Sequence, residues 1–288
     1  MLGWIDTVLQ GIMLGGLYSL YATGLSVIFG IMRLVNLAHG DLIVLGAFLI
    51  LAATGAGVPL VVACAIVVPL MFAVGYVLQS LLLNRALGRN ILPPLLITFG
   101  LSIIVQNGLL ETFSADTRRL DIGPVQSASL PLGGGIAIGV MPLTCLLAAV
   151  AVILLLNGVF YRTAVGRAFR ATSDDVEIAQ LMGINNRSIY ALTMGISLAV
   201  CALAAFFLGT RANFDPSIGP ARLLYAFEAV IIGGLGSLWG TLAGGIVVGV
   251  AQTAGAHIDP EWQILFGHVA FLVVLVIRPR GLFPRAVD

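Results

Sequence analysis

The chain has 288 residues, 59% of them hydrophobic and only 9% charged, with a formal net charge of +1. Soluble domains carry roughly 25% charged residues, so most of this surface is solvated by lipid, and the small net charge gives no argument for nucleic acid. The 14 basic residues are all arginine; a chain without lysine has no phosphate-binding P-loop and no Schiff-base chemistry.

Runs of about 20 apolar residues cross the hydrocarbon core, and they have to be helical because lipid-exposed backbone must satisfy its own hydrogen bonds. Such runs lie at 7–31, 41–55, 58–83, 91–113, 139–160, 188–210, 237–256 and 261–277, with a shorter apolar piece at 223–235. The expected fold is an all-α polytopic integral membrane protein of about eight full transmembrane helices plus one short half-helix, one transmembrane domain over 1–288. The start, MLGWIDTVLQ, lacks the basic region of a cleaved signal, so the first helix is read as retained. Arginine in short loops marks the cytoplasmic side. Arg33, Arg85, Arg89 and the segment 162–187 share one side, while Arg118 and Arg119 are matched by Asp116 and Asp121 on the other. With Arg278, Arg280 and Arg285 inside, the N-terminus is outside and the C-terminus cytoplasmic. Pro69 and Pro93-Pro94 are expected to kink or start helices.

Glycines recur at spacing four: Gly11 and Gly15, Gly236, Gly240 and Gly244, Gly245 and Gly249. Such rows let helix backbones approach closely in lipid. Cys64, Cys145 and Cys201 fall within apolar runs as small hydrophobes, and with three dispersed histidines they give no metal pattern.

Ionisable groups inside a membrane are costly and mark function. Asn36, His39 and Asp41 stand where the second span begins, read as near the cytoplasmic interface; they either gate the inner end of a pathway or cap that helix and tie it to a neighbour. Glu228 is expected to pair with Arg211 or Arg222 at the outer rim, or with an arginine of a partner, or to stand on a solute path. Gln106, a further pathway candidate, and Asn107 serve equally well as polar glue between helices. Gly195-x-Ser197-x-Ala199 weakly resembles a nucleophile elbow, but His257 and His268 lie on or beside different late spans, which argues against an enzyme.

The segment 162–187 is a polar island in this apolar chain. Asp174 is placed to cap a helix over roughly 175–182, with Glu177 three residues on as in a capping box. Asp174 and Asp175 both complement the helix dipole. Gly183 is placed to end the helix in the left-handed conformation. Ile178, Leu181 and Met182 share one face, an apolar ridge facing water unless a partner covers it. The alternative is a helix lying on the membrane, which acidic caps fit poorly beside an anionic leaflet.

These residues resemble a family. GRAFRATSDDVEIAQLMGIN, containing Gly166 and Arg167, is similar to the cytoplasmic loop of bacterial ABC-importer permeases, with Ala179-x-x-x-Gly183 at the core of the coupling-helix signature. EIA stands where the wider superfamily often has Glu-Ala-Ala. Residues 11–48, with the Asn36-x-x-His39-Gly40-Asp41 segment, resemble the first two helices of LivH/LivM-type branched-chain amino acid permeases. The glycine-rich 226–245 and the terminal RPRGLF fit the same family. The resemblance implies a non-catalytic permease subunit of the bacterial inner membrane. It implies a second, LivM-like permease, two LivG/LivF-like ATPase subunits that carry the ATP and Mg, and a periplasmic binding protein that delivers branched-chain amino acids or similar small solutes. Urea, short amides or aromatic acids are alternative solutes within the family, and a stand-alone secondary transporter is the alternative outside it. No cofactor is expected in this chain.

Overall fold

The structure is a computed structural model and describes residues 2–86, 92–133 and 136–283. Its helices are α1 (Leu2–Met32), α2 (His39–Gly55), α3 (Leu60–Leu81), α4 (Leu92–Phe113), α5 (Val140–Arg162), α6 (Ala164–Asp174), α7 (Val176–Leu181), α8 (Asn186–Arg211), α9 (Gly219–Gly233), α10 (Leu238–Ile258) and α11 (Gln263–Ile277). Arg89 and Arg285, both used in the charge argument, lie outside the described residues.

Seven spans among the described residues are long and apolar enough to cross a membrane: α1, α3, α4, α5, α8, α10, and α11 with the turn ahead of it. The count of eight full spans and one short one is corrected, because both α2, with 17 residues, and α9, with 15, are short. The apolar run at 41–55 lies within α2, which begins two residues earlier at His39 and is still shorter than the full spans.

α1 is the central post, packed on α10, α8, α5 and α9, while α8 also holds α2 and α3. The outward sides of α3, α4, α5 and α11 expose leucine, isoleucine, valine and phenylalanine, as lipid-facing surface requires. Pro93 and Pro94 sit in the first turn of α4, where their missing amide donors cost nothing, and Pro69 lies inside α3.

The glycine rows form two seams rather than one. A Cβ on Gly15 would come within 2.5 Å of the Ile246 Cα, and Gly249 lies equally tight against Gly15 N, so α1 and α10 meet backbone to backbone. Gly240 and Gly244 face the other way, onto Gly233 and Ala229 of α9. Gly236 is not on the helix at all. It sits in the turn ahead of α10 with φ +79°, against the Cα of Gly30.

The ends of the elements collect on two faces. One holds the C-terminal ends of α1, α5 and α9, the starts of α8 and α10, and all of α6 and α7; Gly30 lies against Gly236, and the amide of Leu282 donates to Ile232 O. The opposite face holds residues 114–133, 136–139 and 259–262, and residues 212–218 lead down from it to the start of α9. There Arg118 and Phe214 exchange backbone hydrogen bonds and Gln10 Nε2 donates to Ala137 O. An antiparallel hairpin, β1 (Ser129–Gly133) with β2 (Ile136–Gly139), also stands on this face. The all-helical expectation omitted it; outside the bilayer, water removes the constraint that forces helix.

Candidate functional site

Two sites follow from the residues singled out, one on the first face and one at mid-depth in the bundle. The first is built by α6 and α7. The basic stretch after α5 is an 11-residue helix, whose start is capped by the Thr163 hydroxyl accepting from the Gly166 amide at 3.0 Å. Gly166 packs against the last turn of α5, where a Cβ would overlap the carbonyls of Val159 and Phe160. Arg167 points outward and is exposed.

The cap assignment shifts by one residue. Asp174 is the last residue of α6 and caps nothing; Asp175 breaks the helix with φ −148° and ψ 112°. Its carboxylate accepts from the amides of Glu177 at 2.8 Å and Ile178 at 2.9 Å. Glu177 lies in the first turn of α7, where its charge meets the positive end of the helix. The exit is a Schellman motif: Gly183 has φ +85°, its amide donates to Gln180 O, and the Ile184 amide donates to Ala179 O.

Of the α7 residues, Ala179 is the one turned inward, at 2% exposure. The ridge opposite is bare: Ile178 is 59% exposed, Met182 78% and Leu181 86%. A six-residue helix is too short to stand alone; Asn186 of α8 holds it directly, and α6 ahead of it is tied to α8, α1 and α5. Asn186 donates to Val176 O at 2.8 Å and accepts from the Thr172 hydroxyl at 3.2 Å. The Ser173 hydroxyl donates to Gly30 O of α1 at 2.5 Å. Arg170 donates to Phe160 O at the end of α5. Displacing α7 therefore pulls on α8 directly and, through α6, on α1 and α5.

The second site lies at a different depth from the one expected. Arg33 ends α1 in the left-handed region, at φ 50°, and residues 33–38 climb back into the bundle as non-helical backbone. His39, the first residue of α2, makes a 2.8 Å bond through Nε2 with Tyr21 O; a carbonyl only accepts, so Nε2 carries the proton. Tyr21 is 11 residues above the end of α1, a rise of about 16 Å. The segment is therefore at mid-span, not at the interface, and residues 33–38, non-helical backbone that ends in a turn at 36–39, make the climb. Non-helical backbone at this depth needs partners from the protein. The Leu37 amide donates to Thr98 Oγ1 at 3.2 Å, and the Ala38 amide to Asn36 Oδ1 at 3.1 Å.

Asp41 is buried in the first turn of α2. It accepts from Ser102 Oγ at 2.5 Å and from Gln106 Nε2 at 2.9 Å, both on α4. α9 also begins at this level. A Cβ on Gly219 would overlap the Asp41 carboxylate, and one on Gly40 would overlap Gly219 O, so the starts of two short helices meet with a carboxylate between them. Two positive helix ends and two side-chain donors compensate the charge. The junction can hold α2, α4 and α9 in register, and it can part only if Asp41 gives up its partners. Ser197 donates to Gly24 O at 2.9 Å and is buried, so the elbow-like motif serves helix packing. Thr98, Ser102 and Gln106 recur every four residues on α4. Only Gln106 was singled out from the sequence, although the spacing itself marks a polar stripe on one face.

Glu228 pairs with neither Arg211 nor Arg222. Its Oε1 meets Nδ1 of His268 on α11, and Oε2 is buried without a partner. Arg211 instead donates to Met13 O at 3.2 Å. The two arginines are carried by the end of α8 and the start of α9, and a lateral contact with α11 is invisible to sequence spacing. No group of three metal-ligating side chains occurs among the described residues.

Residues 7–277 match the family profile described as branched-chain amino acid transport system, permease component. The chain is 30% identical to the high-affinity branched-chain amino acid transport system permease protein BraD of Pseudomonas aeruginosa and 27% identical to LivH, the corresponding protein of Escherichia coli. Each alignment covers 98% of this chain and 96% of the relative. Among solved structures, PsaBC from Streptococcus pneumoniae in complex with Fab superposes with a TM-score of 0.52 at 14% identity, over 98% of both chains. At that identity the likeness speaks for the fold alone.

Proposed function

This chain belongs to the branched-chain amino acid transport permease family, and from that premise we propose that it forms one half of the membrane channel of an ATP-driven importer for branched-chain amino acids. It is a multi-pass protein of the inner membrane. In this reading the first face is cytoplasmic, the hairpin face receives solute from a periplasmic binding protein, and both ATP and Mg reside on ATPase partners. The N-terminus is then outside and the C-terminus inside.

The exposed α7 ridge is the observation that carries the reading. Three large apolar side chains on a helix capped at both ends, surrounded by arginine and acid, suit a socket on a soluble partner. Burying such a side chain contributes about 1.5–3 kcal/mol, so three of them suffice for firm docking. A second permease is supported by α4, whose outward side is not uniformly apolar. Asn107 and Glu111 are exposed, and Gly100 and Gly108 have open space where a Cβ would stand. Small and polar residues of this kind mark helix interfaces in lipid.

When the ATPase pair closes, α7 moves with it, and the ties through Ser173, Arg170 and Asn186 carry the displacement to α1, α5 and α8. α1 holds His39, so the displacement also reaches the junction of α2 and α9. The three native cysteines are buried, which allows a clean test by single-cysteine labelling. Met182→Cys is expected to react with a membrane-impermeant maleimide only in inside-out vesicles and to crosslink to the ATPase subunit. Labelling from the periplasmic side, or no crosslink in an assembled complex, refutes the assignment.

A further inference from the structure

A cavity of about 520 Å³ opens on the first face, between α1, α5, α6 and the first turn of α10. It is separate from the α7 ridge and from the mid-depth junction. Val27, Ile31, Phe160 and Phe169 give it apolar walls, and the exposed rings of Tyr161 and Trp239 stand at its mouth, the placement of an interfacial aromatic belt.

Its polar groups are few, and they are under-used. Ser26 lines the cavity and is 1% exposed, yet its hydroxyl has no hydrogen-bond partner. Arg170 gives one N–H to Phe160 O and lies 5.1 Å from the Tyr161 ring, but it is paired with no carboxylate among the described residues. Ser237 caps the Gly240 amide. The amides of Leu238 and Trp239, at the positive end of α10, have no acceptor among the described residues.

We infer that this cavity binds a phosphate-bearing amphiphile, an anionic phospholipid of the adjacent leaflet. Its phosphate is held between the Arg170 guanidinium, which grips phosphate in a bidentate fork, and the α10 amides, a ready anion site. The apolar walls take the glycerol region and the start of the acyl chains. The Ser26 hydroxyl donates to an ester carbonyl at the base. A free phosphate has the same charge chemistry but leaves Ser26 and the apolar walls without partners. The inference rests on the first face being cytoplasmic, where anionic lipid attracts basic groups. Occupancy braces α6 against α1 and α10, directly behind the docking helix.

The test uses the whole complex, purified with its ATPase partners, delipidated and examined by native mass spectrometry after adding back phosphatidylglycerol, phosphatidylcholine or inorganic phosphate. The wild type is expected to retain phosphatidylglycerol and not phosphatidylcholine, and excess inorganic phosphate is expected to leave that lipid bound. Arg170→Gln is expected to cut retention about tenfold or more, as loss of a charge-assisted contact does. Arg170 also caps α5, so Ser26→Leu, which fills the base of the cavity, gives a second arm; it too is expected to reduce retention. Equal retention of both lipids, unchanged retention in both variants, or displacement by inorganic phosphate overturns the lipid site. ATP-driven uptake measured on the same preparation separates the two readings. Uptake without selective lipid retention sinks this inference alone, and selective retention without any ATP-driven uptake sinks the importer reading alone.

Discussion

Removing the carboxylate of Asp175 should loosen α7 without disturbing the bundle, whereas removing that of its neighbour Asp174 should do neither. Asp175 satisfies two amides, those of Glu177 and Ile178, and Asp174 satisfies none as a cap. Loss of a helix cap costs about 1 kcal/mol and up to about 2, and the lost charge at the positive helix end adds about 0.3–1 kcal/mol. A total of about 1.3–3 kcal/mol raises the local opening of α7 roughly 10- to 100-fold, at a tenfold change per 1.4 kcal/mol. Six residues have little propagation to spare, so opening anywhere in α7 opens all of it. Hydrogen exchange at the amides of 177–182 reads that opening directly. In the assembled complex the same variant should hydrolyse ATP with reduced solute uptake. Asp175→Asn, which keeps a capping oxygen, should recover most of the protection, while Asp174→Ala should resemble the wild type in both assays. Faster exchange or uncoupling of equal size in Asp174→Ala would refute the cap assignment.

Leu181→Glu, at a side chain 86% exposed, should leave the melting of the isolated chain unchanged, because surface substitutions stay within about 0.5 kcal/mol. It should weaken copurification of the ATPase by about tenfold or more, the loss of one buried leucine. Gly183→Val forces a β-branched residue to φ +85°, at about 1–2 kcal/mol; accelerated exchange in α7 with intact spans is expected. Gly219→Ala places a methyl group on the Asp41 carboxylate and should lower the detergent melting temperature, whereas Gly100→Ala, which meets open space, should not. His268→Leu leaves Glu228 buried with neither oxygen paired, which costs about 1–3 kcal/mol. Replacing both with leucine should restore most of the lost thermal stability, and a double variant no better than the single one would refute the pairing.

The transmembrane class and the positions of most spans were legible because lipid imposes one rule, an apolar run long enough to cross, that a sequence either meets or fails. Both short helices were also legible, α2 as the run at 41–55 and α9 as the short piece at 223–235; what the rule did not show is the path of the chain ahead of α2. The rule measures apolarity, and residues 33–38 mix Leu34, Val35 and Leu37 with Arg33 and Asn36, so nothing in hydropathy says that the backbone there climbs back into the bundle. Only Arg33, a bulky residue in the left-handed region, and the Asn36 turn mark the break, and neither is strong without the structure. The one-residue error at the cap has a simpler origin. Asp174 and Asp175 are chemically identical, and which of them caps is decided by where α6 stops. That helix went unread because its apolar positions are few.

The mid-depth junction was half legible, and the missing half was accessible in principle. Asn36, His39 and Asp41 stand out as polar groups beside an apolar run, but a buried carboxylate has to find donors, and the donors lie 61 and 65 residues away on α4. Thr98, Ser102 and Gln106 look innocuous singly, since hydroxyl and amide side chains are tolerated in transmembrane helices. Their spacing of four puts all three on one face of α4, opposite the lipid-facing Ile104. A stripe of three donors or acceptors on an otherwise apolar helix implies a polar counterpart inside the bundle. The chain offers few unmatched candidates at that depth, and Asp41 with the Leu37 amide are the ones the stripe meets. Pairing such stripes with isolated intramembrane acids locates interhelical contacts that hydropathy cannot see. It succeeds here, whereas Glu228 escapes it because its partner, His268, belongs to no stripe.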